Sequence, residues 1–186
     1  MIKFLRNKYS SQEKLQFDFL RKNILFKGFS DKELNFIQPL IHERTFGKNE
    51  IVFFRNDPSL ALYFVYEGEV SLYLDADGIE ENLINVEKGY VFGQNSIVEN
   101  AHRNYNAKIA GELATLFVIP RAGLMDVLTR HPRLHSHVLT NLSTYFNGYI
   151  SKVFSKYREN VGFFEISQIY DKKKREFDFS NREANN

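Results

Sequence analysis

The sequence predicts a mainly β protein with flanking helices: an antiparallel β-roll of the double-stranded β-helix or jelly-roll type, with short N-terminal helices and a long C-terminal helix. Three observations predict it. Between Arg44 and Pro120, short β-rich runs alternate with turn residues. On either side of that stretch the apolar residues recur at helical spacing. Aromatic residues reach 15%, with 18 Phe and 10 Tyr, which supplies the large side chains that fill a small rolled sheet.

The elements follow in chain order. Residues 1–13 read as a flexible polar lead. From Lys14 to Phe26 the apolar residues Leu15, Phe19, Leu20, Ile24 and Leu25 fall on one helical side, and Gly28 ends the run. Ser30 followed by Glu33 is a capping box, which gives the orphan amides of a helix start their acceptor. It opens a short helix from Asp31 to Ile41. Strand runs are expected at Ile51–Phe54, Leu62–Tyr66, Val70–Leu74, Asn82–Val86, Asn106–Ile109 and Thr115–Ile119. The intervening residues are turn formers, with Asp75 to Gly78 as a hairpin tip. Many short strands with turns between them favour closure, because closure removes exposed edges.

After Pro120 the helical period returns. Leu124, Val127 and Leu128 form a short apolar side that His131-Pro132 breaks. A longer helix is expected from Leu134 to Tyr157. Its residues Leu139, Leu142, Phe146, Tyr149 and Val153 step by three and four, the spacing of a seam that zips to a partner helix. Val138, Ile150, Phe154 and Tyr157 widen the stripe, so a homodimer through this helix and packing on its own β-domain both stay open. Residues 161–186 read as a polar, charged tail. Its Lys172–Arg175 run reads as solvated rather than as a binding patch.

Composition excludes several classes. No cysteine occurs, so disulfides, thiolate catalysis and Cys-based zinc sites are out. No apolar run reaches the roughly 18 residues that span a bilayer, and the first ten residues lack the apolar core of a signal peptide. A cytoplasmic protein without a membrane partner is expected. The net charge of +2 hides an asymmetry: residues 31–150 carry ten Lys/Arg against fifteen acids. An acidic middle offers no broad nucleic-acid face, and no DNA-binding domain is expected. His131, His135 and His137 lack the accompanying ligands of a zinc site, so no metal is expected. No nucleophile elbow, HExxH, P-loop or GxGxxG is present, and no enzyme is expected.

Four stretches carry a resemblance. They are Phe46–Phe53, Leu62–Val70, Val86–Gly93, and the final strand into Pro120 with the two helices after it. Together they resemble the cyclic-nucleotide-binding domain of catabolite regulators and of cyclic-AMP-dependent kinase regulatory subunits, over about residues 15–155. The resemblance makes residues 14–160 a cyclic-nucleotide-binding-like domain including its C-terminal helix. It implies a phosphate-binding cassette after Phe92-Gly93: a short helix whose amides face a cyclic phosphate, an acid that takes the ribose 2′-hydroxyl, and an arginine on the phosphate. Arg103, ten residues beyond Gly93, matches the arginine. Its planar fork suits two phosphate oxygens.

The ligand-binding set is then Gly93, Gln94, Asn95, Ser96, Arg103, Asn104 and Tyr105, with cyclic AMP or cyclic GMP as ligand and no cofactor. This chain departs from the pattern in three ways. Gln94 replaces the acid and lacks its charge. Asn95 and Ser96 replace apolar and small residues, and Asn104 and Tyr105 replace small ones. Tyr105 is expected to fill the pocket or pack in the core rather than stack on a base. The expected function is a stand-alone sensor of a cyclic nucleotide or similar small anion, signalling through the C-terminal helix. The alternative is a degenerate roll that binds no nucleotide and serves as a dimerisation or interaction scaffold. Asn49 stands where the family's entry strand has glycine, and asparagine tolerates the left-handed conformation.

Overall fold

The computed structural model describes residues 9–161 apart from position 77. They divide into two units between Tyr145 and Phe146.

The helical lead starts earlier than the apolar period announces. Helix α1 (Ser11–Lys22) opens on a capping box in which Ser10 Oγ accepts from the Glu13 amide (3.2 Å) and Glu13 Oε2 accepts from the Ser10 amide (2.7 Å). Helix α1 thus takes in residues 11–13, which the sequence reading places in the lead. Helix α1 buries Phe17 and Leu20. A 3-10 turn follows at Ile24–Phe26, with the Leu25 amide donating to Asn23 Oδ1. Helix α2 (Asp31–Ile37) carries the expected Ser30/Glu33 box. It stops at Ile37 rather than Ile41. Pro39 has no N–H to continue the ladder, and residues 38–40 tighten into a 3-10 turn.

Eight strands follow: β1 (His42–Gly47), β2 (Ile51–Phe53), β3 (Ala61–Glu67), β4 (Glu69–Ala76), β5 (Ile79–Glu87), β6 (Val91–Phe92), β7 (Asn106–Ile109) and β8 (Leu113–Pro120). They form two four-stranded sheets, in the orders β1-β8-β3-β6 and β2-β7-β4-β5, and every pairing is antiparallel. The β-roll with short N-terminal helices and a long C-terminal helix is the fold expected. Strands β1 and β6 are additions to the expected set. His42–Gly47 is exposed or half-buried along its length and shows no apolar alternation, and β6 is only two residues long.

Strand periodicity builds the core. In β3 and β8, Ala61, Val65, Ala114, Leu116 and Val118 face the interior of the roll with Phe53, Val70, Leu72, Phe92 and Ile109. The alternate residues face the helices: Phe64 stacks on Phe26 at 5.7 Å, and Phe117 meets Phe19 edge-on at 5.4 Å. Each fully buried Phe or Leu contributes on the order of 1.5–3 kcal/mol of transfer free energy. Helices α3 (Arg121–Arg130) and α4 (Pro132–Val161) complete the described residues. Leu134, Val138 and Leu142 of α4 are buried, and Asn141 Nδ2 donates to the carbonyls of Leu25 and Lys27, both at 3.0 Å. In the second unit Tyr149, Ile150, Val153 and Phe154 are exposed. The Lys172–Arg175 run lies outside the described residues.

Candidate functional site

The site is built where β6 ends. Gly93 takes φ +72, a left-handed conformation that suits glycine. The chain then turns into the 3-10 segment Gln94–Ile97. Strand β6 pairs with β3 only at Tyr63↔Phe92 and Phe64↔Val91. Ala61, two residues beyond, has no strand partner on that side. Arg103 supplies the missing donor: its Nη2 donates to the Ala61 carbonyl at 2.7 Å. Its Nη1 donates to the Gly93 carbonyl at 3.2 Å and reaches Asn95 Oδ1 at 3.5 Å.

Arg103 is 3% exposed. Its guanidinium lies 4.1 Å from the centroid of the Phe53 ring and 5.5 Å from that of Tyr63, a cation–π seat that stabilises a desolvated charge. Among the described residues no carboxylate forms an ion pair with it. Burial pushes its pKa below the ordinary value, offset in part by Tyr63 and Tyr105. Burial also pushes the Tyr63 phenol up, and the nearby Arg103 opposes that shift. Two buried polar atoms here have no partner: Arg103 Nε and Ser96 Oγ. Buried donors are nearly always satisfied, so such a pair calls for an explanation.

The expected residues do converge, with distinct duties. The Gly93 amide donates to Tyr105 Oη at 3.1 Å, while the Gly93 carbonyl also accepts from the Ser96 amide at 3.0 Å. Gln94 is buried and its Nε2 donates to the Val91 carbonyl at 3.0 Å. Asn95 is engaged at both ends: Oδ1 accepts from Ser59 Oγ at 2.8 Å, and Nδ2 donates to the His102 carbonyl at 2.5 Å. It positions Arg103 and ties the loop before β3 to the cassette. Asn104 is exposed. Tyr105 is half-buried with its ring 5.8 Å from Phe53. Phe53, Tyr63, Ser59 and the Ala61 carbonyl complete the site. Nothing in the sequence marks a backbone carbonyl, and the two rings read only as core.

The histidines do other work. His131 stacks on Phe36 at 3.9 Å, and His137 packs on Phe29 at 4.4 Å. Among the described residues no group of three or more His, Cys, Asp or Glu could hold a metal ion. No helix among them is long and apolar enough to cross a membrane.

Residues 43–131 match the family model described as the cyclic nucleotide-binding domain. This segment is thus similar to that domain, in line with the resemblance that the sequence carries. Two curated relatives are similar to the chain. The cyclic AMP receptor protein of Thermus thermophilus is 28% identical over 119 residues, covering 63% of this chain and 54% of that protein. The potassium channel SKOR of Arabidopsis thaliana is 28% identical over 155 residues, covering 83% of this chain and 18% of the channel. The chain thus spans about half or less of these relatives' lengths. Among solved structures, the N-terminal domain of a transcriptional regulator from Streptomyces coelicolor is similar, with TM-score 0.64 and 25% identity. That match covers 71% of this chain and 94% of the other. The family is a regulatory one rather than a catalytic one.

Proposed function

We propose that this domain is a sensor that binds a cyclic nucleotide or a similar small anion at Arg103 and signals through α4. One observation carries the reading. Arg103 is a buried cation in no ion pair among the described residues, and its Nε and the Ser96 hydroxyl of the same cassette are both buried without a hydrogen-bond partner. A buried charge normally has a counter-charge or coordinates one. Here an anionic ligand would be that counter-charge, and both free donors would face it. Gly93, Gln94 and Tyr105 frame the site, while Asn95 holds Arg103 in place.

A route to α4 is in reach. The residues leading into β6 are tied to the helical lead through Asn23 Nδ2 and the Gly89 carbonyl (3.4 Å). The lead is in turn tied to α4 through Asn141. A ligand shifts α4 only if it binds two arrangements of these contacts with different affinity. The proposed role is non-enzymatic and cytoplasmic, with self-association through α4.

A second reading has its own support. The Nη atoms of Arg103 already serve backbone carbonyls, and Tyr105 already takes the Gly93 amide. A roll closed in this way could serve as an interaction scaffold without a nucleotide. A thermal-shift titration with cyclic AMP and cyclic GMP separates the two. A ligand of the folded state at a hundred times its Kd adds about 2.7 kcal/mol, a rise of a few degrees for a domain of this size. The sensor reading expects that rise in the wild type, a smaller one in Ser96→Ala, and none in a folded Arg103→Ala. Ser96→Ala removes an unpartnered hydroxyl, so it tests binding without disturbing the fold. No rise with either nucleotide at millimolar concentration would favour the scaffold.

A further inference from the structure

We infer that Tyr105 is the residue that restricts which anions this site admits, acting as a built-in competitor for the Gly93 amide. The inference rests on the anion-site reading above and adds a selectivity element to it.

Gly93 is gripped at both ends of its backbone. Its N–H donates to Tyr105 Oη, and its carbonyl accepts from Arg103 Nη1 and the Ser96 amide. The Tyr105 ring closes on Phe53, the same ring that lies against the guanidinium. Hydroxyl and ring thus work together: one occupies the donor, the other closes the aromatic wall beside the cation. The two donors left unsatisfied are Arg103 Nε and Ser96 Oγ. A compact anion such as inorganic phosphate, if it contacts only those two donors, leaves the Tyr105 bond in place. A larger ester whose oxygens extend to Gly93 must displace the phenol and take over its hydrogen bond. A phenol oxygen is a neutral acceptor, so a charged ligand oxygen replaces it with a stronger bond. The competition is winnable, but it lowers the ligand's affinity.

The test compares wild type with Tyr105→Phe, which keeps the ring and deletes the hydroxyl. Calorimetric titrations with cyclic AMP and with inorganic phosphate are read beside hydrogen exchange at the Gly93 amide. Deleting the competing bond is expected to tighten cyclic AMP about fivefold, the equivalent of one ordinary hydrogen bond. Phosphate affinity stays within twofold, and Gly93 exchange quickens in the ligand-free variant. Binding of cyclic AMP by the variant alone also supports the inference. Equal or weaker cyclic AMP binding by Tyr105→Phe, or unchanged Gly93 exchange, overturns the role of Tyr105 and leaves the anion site standing. If neither protein binds either probe while both melt cooperatively, the anion site itself falls and the inference goes with it.

Discussion

Gly68 and Gly93 both sit at positive φ, +85 and +72, yet they answer differently to an added methyl group. A Cβ at Gly68 would lie 2.5 Å from the Leu113 carbonyl and 2.8 Å from Ala114 Cα, backbone atoms of β8 that have nowhere to go. At Gly93 the first obstacle is Arg103 Nη1 at 2.5 Å, the end of a side chain, with the Ala61 carbonyl at 3.2 Å. Gly68→Ala is therefore expected to cost about 2–4 kcal/mol by urea denaturation, and Gly93→Ala about 1–2 kcal/mol. The reverse order would mean that Arg103 is held far more rigidly than its contacts imply. At this scale the sequence reads well where a residue type carries a meaning of its own. Asn49 does adopt the left-handed conformation expected of it, at φ 60. Arg103, Gly93, Gln94 and Ser96 do meet in one cassette. Phe53 and Tyr63 beneath the guanidinium were not legible as site residues. Their role comes from strands distant in sequence, and the Ala61 carbonyl has no side-chain signature at all.

Between the residue and the fold stand the caps and clasps. Hydrogen bonds from the Ser30 side chain and backbone hold the Glu33 carboxylate below its ordinary value of 4.5, and His137 adds a smaller pull. The folded pKa is depressed, so the stabilisation is present above the ordinary value and is lost as pH falls through the folded one. Melting temperatures from pH 7 to pH 3 should show wild type losing its advantage over Glu33→Ala at the acid end. A constant gap would mean that the cap does not depend on the charge. Asn141 is the clasp between α4 and the helical lead, and Asn141→Ala should cost about 1 kcal/mol by releasing two carbonyls. An unchanged denaturation midpoint would show that water replaces it fully. Most elements were readable from period and turn residues, but strands β1 and β6 were not. Boundaries were not, because they depend on Ser10, on Pro39, and on β8 and β3 recruiting the polar His42–Gly47 run and the two-residue β6 as strand partners.

Over the whole molecule, α4 presents buried residues in its first half and exposed apolar residues in its second. Of the expected seam, Leu142 is buried in its own unit, while Leu139, Tyr149 and Val153 are exposed. Own-domain packing and an exposed apolar stripe therefore divide the helix between them, an outcome that heptad spacing alone does not decide. The self-association proposal expects light scattering to give about twice the 21.9 kDa of one chain, and Val153→Glu to return it to one. A monomeric wild type would end that part of the proposal. The residues around the site bind their ligand, on this account, by giving one buried cation its missing partner. The most direct test is a heteronuclear NMR titration of the arginine Nε–Hε groups with cyclic AMP, the Arg103 resonance being assigned by its absence in Arg103→Lys. This resonance should move downfield and saturate with the calorimetric binding curve. A resonance that stays in place while cyclic AMP binds, or at millimolar ligand without binding, would contradict it.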